Sequence, residues 1–230
     1  MQPPSAQRVD VLIVAAHAPE LVGFRPALSD RLDGSIRGLR VMAKTIGIGM
    51  PIAGSGMAYR LTQLAPRSVV LVGSCGVYPG LPDYRPNDIL VASRISLVDH
   101  AVTAGRSAFP DPMTTSVDAH PLLTAALGAA GPRTRVAPLA TTLAVTTDDA
   151  LASSAGQTTG CHGENLEAFS VALACVAASV PFAAVLGVTN VVGSSGREDW
   201  RAYQRSAALA AADCVVTWIH QGAQGVPHGG

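Results

Sequence analysis

The chain has 230 residues, 48% hydrophobic and only 14% charged, with 16 acidic and 16 basic side chains and a formal net charge of zero. That is enough for one domain with a sizeable core, and it is too apolar for extended disorder. It lacks the concentrated positive charge that nucleic-acid phosphates or an anionic membrane surface require.

In chain order, residues 1–8 are polar and proline-rich, without the charge-then-apolar order of a signal peptide, and are expected to be flexible. Strands are predicted at Val9–Ala16, Gly38–Ile46, Ser68–Val72, Asp88–Ile95, Ala140–Thr146 and Phe182–Thr189, where short apolar runs occur between turn signals. Helices are predicted at Met50–Leu64, Pro121–Ala130, Leu166–Ser179 and Ala202–His220. The third is the clearest, because Leu166, Phe169, Leu173 and Val176 share one face. Asp111–Pro121 and Ser153–Gly163 are expected to be surface loops, the second Gly/Ser/Thr-rich and long enough to cover a site. The Gly-rich tail at 221–230 is expected to be flexible. Alternating strands and helices imply a single α/β domain over 9–220: three layers, α/β/α, around a central mixed, mostly parallel sheet.

No apolar run approaches the roughly 20 residues that span a bilayer. Cys75, Cys161, Cys175 and Cys214 fit neither a disulfide framework nor metal-ligand spacing with the histidines. The expectation is a cytoplasmic protein with no metal and no cofactor.

Ligands of open α/β sheets bind beyond the carboxyl ends of the strands. Three such ends carry sequence that a buried strand does not need: Ala15-Ala16-His17-Ala18-Pro19-Glu20, Val72-Gly73-Ser74-Cys75-Gly76, and Gly187-Val188-Thr189-Asn190. With Gly47-Ile48-Gly49 and Glu164-Asn165-Leu166-Glu167-Ala168, they resemble, in order and separation, the family of purine nucleoside phosphorylases and methylthioadenosine/S-adenosylhomocysteine nucleosidases. The likeness runs over most of the chain and implies the nucleoside phosphorylase-like fold, a purine nucleoside as ligand, and a homodimer or higher homo-oligomer.

It also implies roles. Gly47-Ile48-Gly49 is similar to the ribose-side loop, and Ser74, Cys75 and Gly76 to the glycine-rich turn of the purine pocket. Asn165, Leu166 and Glu167 match the segment that holds the ribose: Glu167 accepts from the vicinal hydroxyls, and Leu166 replaces the usual Met as the floor of the sugar. Glu20 matches the carboxylate that activates water in the hydrolytic branch. Asn190 stands where members acting on adenine nucleosides carry Asp. An amide offers a donor and an acceptor but no titratable proton, which suits a 6-oxopurine.

Phosphorylases of the family place an arginine two residues before the glycine turn. Here that position is Leu71, and Arg60 and Arg67 fall in or after a predicted helix. An unneutralised phosphate in an apolar pocket is strongly disfavoured, so water is the expected nucleophile. The run Asn190-Val191-Val192-Gly193, followed by Arg197-Glu198-Asp199-Trp200, is most similar to futalosine hydrolases, which release hypoxanthine in a menaquinone pathway from a nucleoside with a bulky 5′ substituent. Trp200 and the Ser153–Gly163 loop are candidates for contact with that substituent. His100 is expected to be a solvated loop histidine rather than a catalyst. A phosphorylase, a methylthioadenosine-type nucleosidase and an inactive nucleoside-binding homologue are the alternatives.

Overall fold

A computed structural model describes residues 8–81 and 84–227. The expected flexible segment 1–8 therefore lies outside the described residues except for Arg8, as do the last three residues of the tail.

Strand β1 (Val9–Ala15) is followed by a 3-10 helix (Ala18–Phe24) and a short α1 (Arg25–Leu28). Then come β2 (Asp33–Ile36), β3 (Leu39–Thr45), α2 (Met50–Leu64), β4 (Pro66–Val77), β5 (Ile89–Leu97), α3 (His100–Thr103), β6 (Ser116–Asp118) and α4 (Pro121–Gly128). The rest is β7 (Thr134–Thr141), α5 (Asp149–Thr159), β8 (Gly163–Asn165), α6 (Ala168–Ala177), β9 (Phe182–Val191) and α7 (Gly196–His220). Among the described residues no helix is long and apolar enough to cross a membrane.

Among the described residues nine strands form one mixed sheet in the order β2-β3-β1-β4-β8-β7-β5-β6, with β9 pairing with both β4 and β5. The pairs β4–β9, β9–β5, β5–β7, β7–β8 and β8–β4 close the middle of the sheet into a ring. Strands β1 and β9 and the middle of β4 read as continuous apolar runs because both faces are covered there. In β1, Leu12 and Val14 pack toward α2 and α6, while Val11 and Ile13 join the core under α4 and α7; Val69 and Val70 of β4 divide in the same way. Leu71 belongs to the first core and is 2% exposed. Gly187 of β9 lets α7 lie against the sheet, since a side chain there would collide with the backbone carbonyl of Ala207.

Four expectations need correction. The predicted strand Ala140–Thr146 is β7 at Thr134–Thr141, and residues 142–147 form a loop. Pro138 has no N–H to give a ladder, and β5 bulges between Ala92 and Ile95 opposite it, which accommodates a proline inside the sheet. The expected loop Ser153–Gly163 is mostly α5, framed by Asp148, whose side chain accepts from the Leu151 N–H (2.8 Å), and by Gly160 in the left-handed region. Its small residues reflect packing: a methyl group on Gly156 would stand 2.8 Å from Tyr78 Cβ. Helix α7 begins at Gly196, not Ala202, with Glu198 and Asp199 favourably placed in its first turn. Finally, residues 221–227 fold back instead of trailing away. Ala223 is buried, its N–H donates to the Trp218 carbonyl (3.0 Å), and the Trp218 indole donates to the Gln224 carbonyl (3.1 Å).

Candidate active site

A cavity of about 500 Å³ opens where the carboxyl ends of β1, β4 and β9 meet β8 and the start of α7. Ile48, Ser74, Cys75, Gly76, Asn165, Leu166, Glu167, Glu20 and Asn190 all line it. The structure thus gathers these nine residues into one concavity from five separate segments.

One end is built around two carboxylates. Pro19 starts the 3-10 helix after β1, which turns Glu20 back over the strand end. Glu20 Oε2 accepts the His17 backbone N–H (3.3 Å) and lies 3.0 Å from His17 Nδ1, an ion-pair contact rather than an aligned hydrogen bond. The interaction with Glu20 raises the His17 pKa above 6.5; burial opposes this, and charge from Glu20 and Glu167 adds to it. Glycine at position 73 makes room for the Glu20 side chain, because a methyl group there would stand 2.9 Å from Glu20 Oε1. Glu167 precedes α6 and is 6% exposed; its Oε1 accepts the Gly49 N–H (2.9 Å). Burial raises the Glu167 pKa, the Gly49 N–H pulls it down, and the charge of Glu20 pushes it up again. Gly47 and Gly49 both have positive φ, and between them the loop presents Ile48, 59% exposed, on the cavity wall.

The other end is centred on Gly76, which pairs with Glu164 of β8 on one side and Asn190 of β9 on the other. In-register residues share a face, so both side chains rise on the same side, two strand spacings or roughly 10 Å apart. Methyl groups on Gly76 and Gly196 would stand 2.8 and 2.9 Å from Asn190 Nδ2, so two glycines from different elements leave this amide its place. Asn190 Nδ2 donates to the Val191 carbonyl (2.8 Å), and Oδ1 accepts from the Thr189 hydroxyl (2.7 Å). Glu164, 7% exposed, accepts from the Thr146 N–H (2.9 Å), the Thr146 hydroxyl (2.5 Å) and the Tyr78 hydroxyl (3.1 Å).

The remaining wall residues differ in what they can do. Asn165 accepts the N–H groups of Glu167 and Ala168 (2.8 and 2.9 Å) and donates to the Ser74 carbonyl (3.2 Å). Its amide therefore ties β8 to α6 and β4 at the cavity wall. Burial pushes the Cys75 thiol up to about 12, which leaves it a wall residue and not a nucleophile. Ser74 Oγ accepts the Trp200 indole N–H (3.1 Å).

Arg60 reaches the Thr45 carbonyl (3.4 Å) and Arg67 pairs with Asp10 (2.5 Å); neither lines the cavity. Arg197 does, beside Gly196 at the Asn190 end. His100 is not a freely solvated loop residue, since its Nε2 lies 2.9 Å from Thr146 Oγ1 behind the wall. Glu164 and Thr146 are the residues sequence reasoning missed. Glu164 sits at the head of the quoted segment, but only the three-residue β8 reveals its direction.

The family model of the phosphorylase superfamily matches residues 10–220. No curated protein matches the sequence. Among solved structures, futalosine hydrolase from Helicobacter pylori is similar at 14% identity and a TM-score of 0.82, over 94% of this chain and 99% of that one. A 5′-methylthioadenosine/S-adenosylhomocysteine nucleosidase from Neisseria meningitidis, in complex with methylthio-immucillin-A, is 18% identical with a TM-score of 0.80, over 92% and 98%. The nucleosidase of that kind from Colwellia psychrerythraea, in complex with adenine, is 19% identical with a TM-score of 0.79, over 98% and 99%. At these identities the likeness concerns the fold.

Proposed function

The chain belongs to the phosphorylase superfamily, and from that premise we propose that it is a nucleosidase that hydrolyses the N-glycosidic bond of a 6-oxopurine nucleoside, with futalosine the leading substrate. The observation that carries this reading is the polarity of this cavity. Two neighbouring carboxylates, Glu20 and Glu167, lie at one end, and an amide–carboxylate pair, Asn190 and Glu164, lies at the other.

Glu167 receives the vicinal ribose hydroxyls, and its negative charge favours the oxocarbenium ion that forms as the bond to the base lengthens. Glu20 holds a water and takes its proton as the oxygen closes on C1′. Two adjacent carboxylates repel an anionic nucleophile, and Leu71 sits in the core rather than on the wall, so water is favoured over phosphate. At the base end, Asn190 meets the O6/N7 edge and stabilises charge gathering on the leaving purine. A carboxylate has about four acceptor positions. The three protein donors to Glu164 leave room for one more, which suits the N1–H of a 6-oxopurine and clashes with the N1 lone pair of adenine.

Ile48 and Val145 on the wall, and Ile52 and Leu143 beside them in sequence, are all more than half exposed. That is consistent with a second copy covering the rim of a homodimer, which light scattering of the purified protein tests. Four buried free cysteines suit a reducing compartment such as the cytoplasm.

Purine release from inosine, futalosine, adenosine and methylthioadenosine, each with and without phosphate, is the decisive assay. Phosphate-independent release of hypoxanthine, fastest from futalosine, is expected. Release only with phosphate would make the protein a phosphorylase, and faster release of adenine would overturn the base assignment.

A further inference from the structure

A chain of hydrogen bonds reaches the base end of the cavity from behind its wall. The first link is His100, which opens α3 and is held there by Asp99, whose carboxylate accepts the N–H groups of Ala101 and Val102 (2.8 and 3.1 Å). His100 Nε2 lies 2.9 Å from Thr146 Oγ1, and that hydroxyl lies 2.5 Å from Glu164 Oε2. Thr146 and Glu164 line the cavity; His100 does not. The chain thus ends on the carboxylate that faces the purine.

Its polarity is fixed by the number of hydrogens. A threonine hydroxyl has one to give, and two lone pairs. With two neighbours in reach, Thr146 Oγ1 donates to one and accepts from the other. Glu164 Oε1 already accepts the Thr146 N–H (2.9 Å) and Oε2 the Tyr78 hydroxyl (3.1 Å), so the carboxylate is the acceptor. The hydroxyl hydrogen therefore goes to Oε2, and Thr146 Oγ1 accepts Nε2–H from His100. The other ring nitrogen, Nδ1, is buried and has no partner among the described residues. A buried polar atom without a partner is unfavourable, so packing alone would favour an apolar side chain at position 100. What the imidazole adds is its Nε2–H.

Resting on the base assignment above, we propose that His100 is a positioning residue that determines specificity for the base. Its Nε2–H faces the Thr146 oxygen and bars the rotamer in which the hydroxyl turns toward the ring, where two hydrogens would meet. Glu164 thus keeps its three protein donors and offers the remaining acceptor position to the purine N1–H. A carboxylate released from the Thr146 hydroxyl is free to tilt. Tilting loosens its contact with N1–H and relieves its clash with the N1 lone pair of adenine, so both changes lower the preference for a 6-oxopurine.

The test uses 9-deazainosine and 9-deazaadenosine, C-nucleosides the enzyme cannot cleave, which present an N1–H and an N1 lone pair respectively. In calorimetric titrations the wild type should prefer the first, and H100L should lower the ratio of affinities by about 3- to 10-fold, the scale of one neutral hydrogen bond. H100Q, whose amide nitrogen reaches the place of Nε2, should restore most of the ratio. In a T146V background, where the hydroxyl is missing, H100L should change nothing further. NMR of the wild type with 15N-labelled histidine, the His100 signal assigned by its loss in H100Q, should find a proton on Nε2. An unchanged ratio in H100L, a loss that H100Q does not restore, a full loss on top of T146V, or a proton on Nδ1 alone overturns the proposal. Absence of any wild-type preference overturns it together with the base assignment. A preference that behaves as expected, without base release from inosine or futalosine, supports it and removes only the nucleosidase reading.

Discussion

Gly73 is a direct test of Glu20 as the water-activating group, because it touches the carboxylate without belonging to the cavity wall. In Gly73→Ala the new methyl group stands 2.9 Å from Glu20 Oε1 and 3.4 Å from the carboxyl carbon. Ordinary contact begins near 3.4 Å, so the oxygen must move by about 0.5 Å. The obstacle is the end of a flexible side chain rather than backbone, and position 73 is not among the left-handed residues, so the fold should tolerate alanine. A misplacement of about 1 Å can cost roughly 100-fold in rate, so about half of that displacement should cost on the order of tenfold in kcat. Glu20→Gln, which removes the base altogether, should cost about 10²–10⁴-fold. Initial rates of hypoxanthine release, with thermal melts as the folding control, measure both. The stricter test is the double variant: if alanine at 73 acts only through Glu20, G73A/E20Q is no slower than E20Q alone. A full tenfold loss on top of E20Q, or an unimpaired G73A, would refute the reasoning.

Three further outcomes follow from the same geometry. Glu167→Gln keeps an acceptor for the Gly49 N–H but removes a charge that burial disfavours; it should abolish turnover yet raise Tm, by about 2–4 °C for each kcal/mol of relief, and a lowered Tm would contradict this account of Glu167. His17 has a raised folded pKa, so its stabilising contribution is fully present below about pH 6.5 and is lost as pH rises through the folded value. The urea midpoints of wild type and His17→Gln should accordingly differ most near pH 5.5 and converge toward pH 8.5; the opposite trend would exclude the Glu20 pairing as the cause. Glu164→Gln should lower the inosine-to-adenosine ratio of kcat/KM by about 10–100-fold, the scale of one hydrogen bond to a charged group, and an unchanged ratio would remove Glu164 from base recognition.

Much of the scaffold was legible because burial writes itself into local pattern. The doubly buried β1 and β9 and the middle of β4 are apolar runs, and α2 has the bounds that its flanking signals suggest. The failures have specific causes. Pro138 argues against a strand unless one knows that β5 bulges opposite it, and α5 is poor in large apolar residues because Tyr78 demands glycine and alanine beneath it. The charged start of α7 resembles a loop although it is a helix turn satisfied by its own dipole. At the site, glycines and acidic residues at strand ends were visible as sequence. Which of them face one another was not, since the Gly76–Glu164 and Gly76–Asn190 pairings join residues 88 and 114 positions apart. Asn165 shows the same limit: its place in the motif marks the site, and only the three-dimensional partners reveal that its amide also ties β8 to α6 and β4.

The wedged amide of Asn190 bears on how substrate preference can drift. Asparagine and aspartate have the same shape, so the crowding by Gly76 and Gly196 does not distinguish them. What does is the Val191 carbonyl, which now receives the Nδ2 proton. An aspartate oxygen in that place would face lone pair against lone pair unless it carried a hydrogen, and the cheapest escape from that repulsion is to keep one. A single base change in the gene would thus install a protonated acid, its hydrogen directed at the Val191 carbonyl, with no repacking around it. With Glu164 still poised against the N1 lone pair of adenine, a drift between oxo- and aminopurine preference in such a pocket takes both positions, and the change at 190 is the one that the packing leaves open.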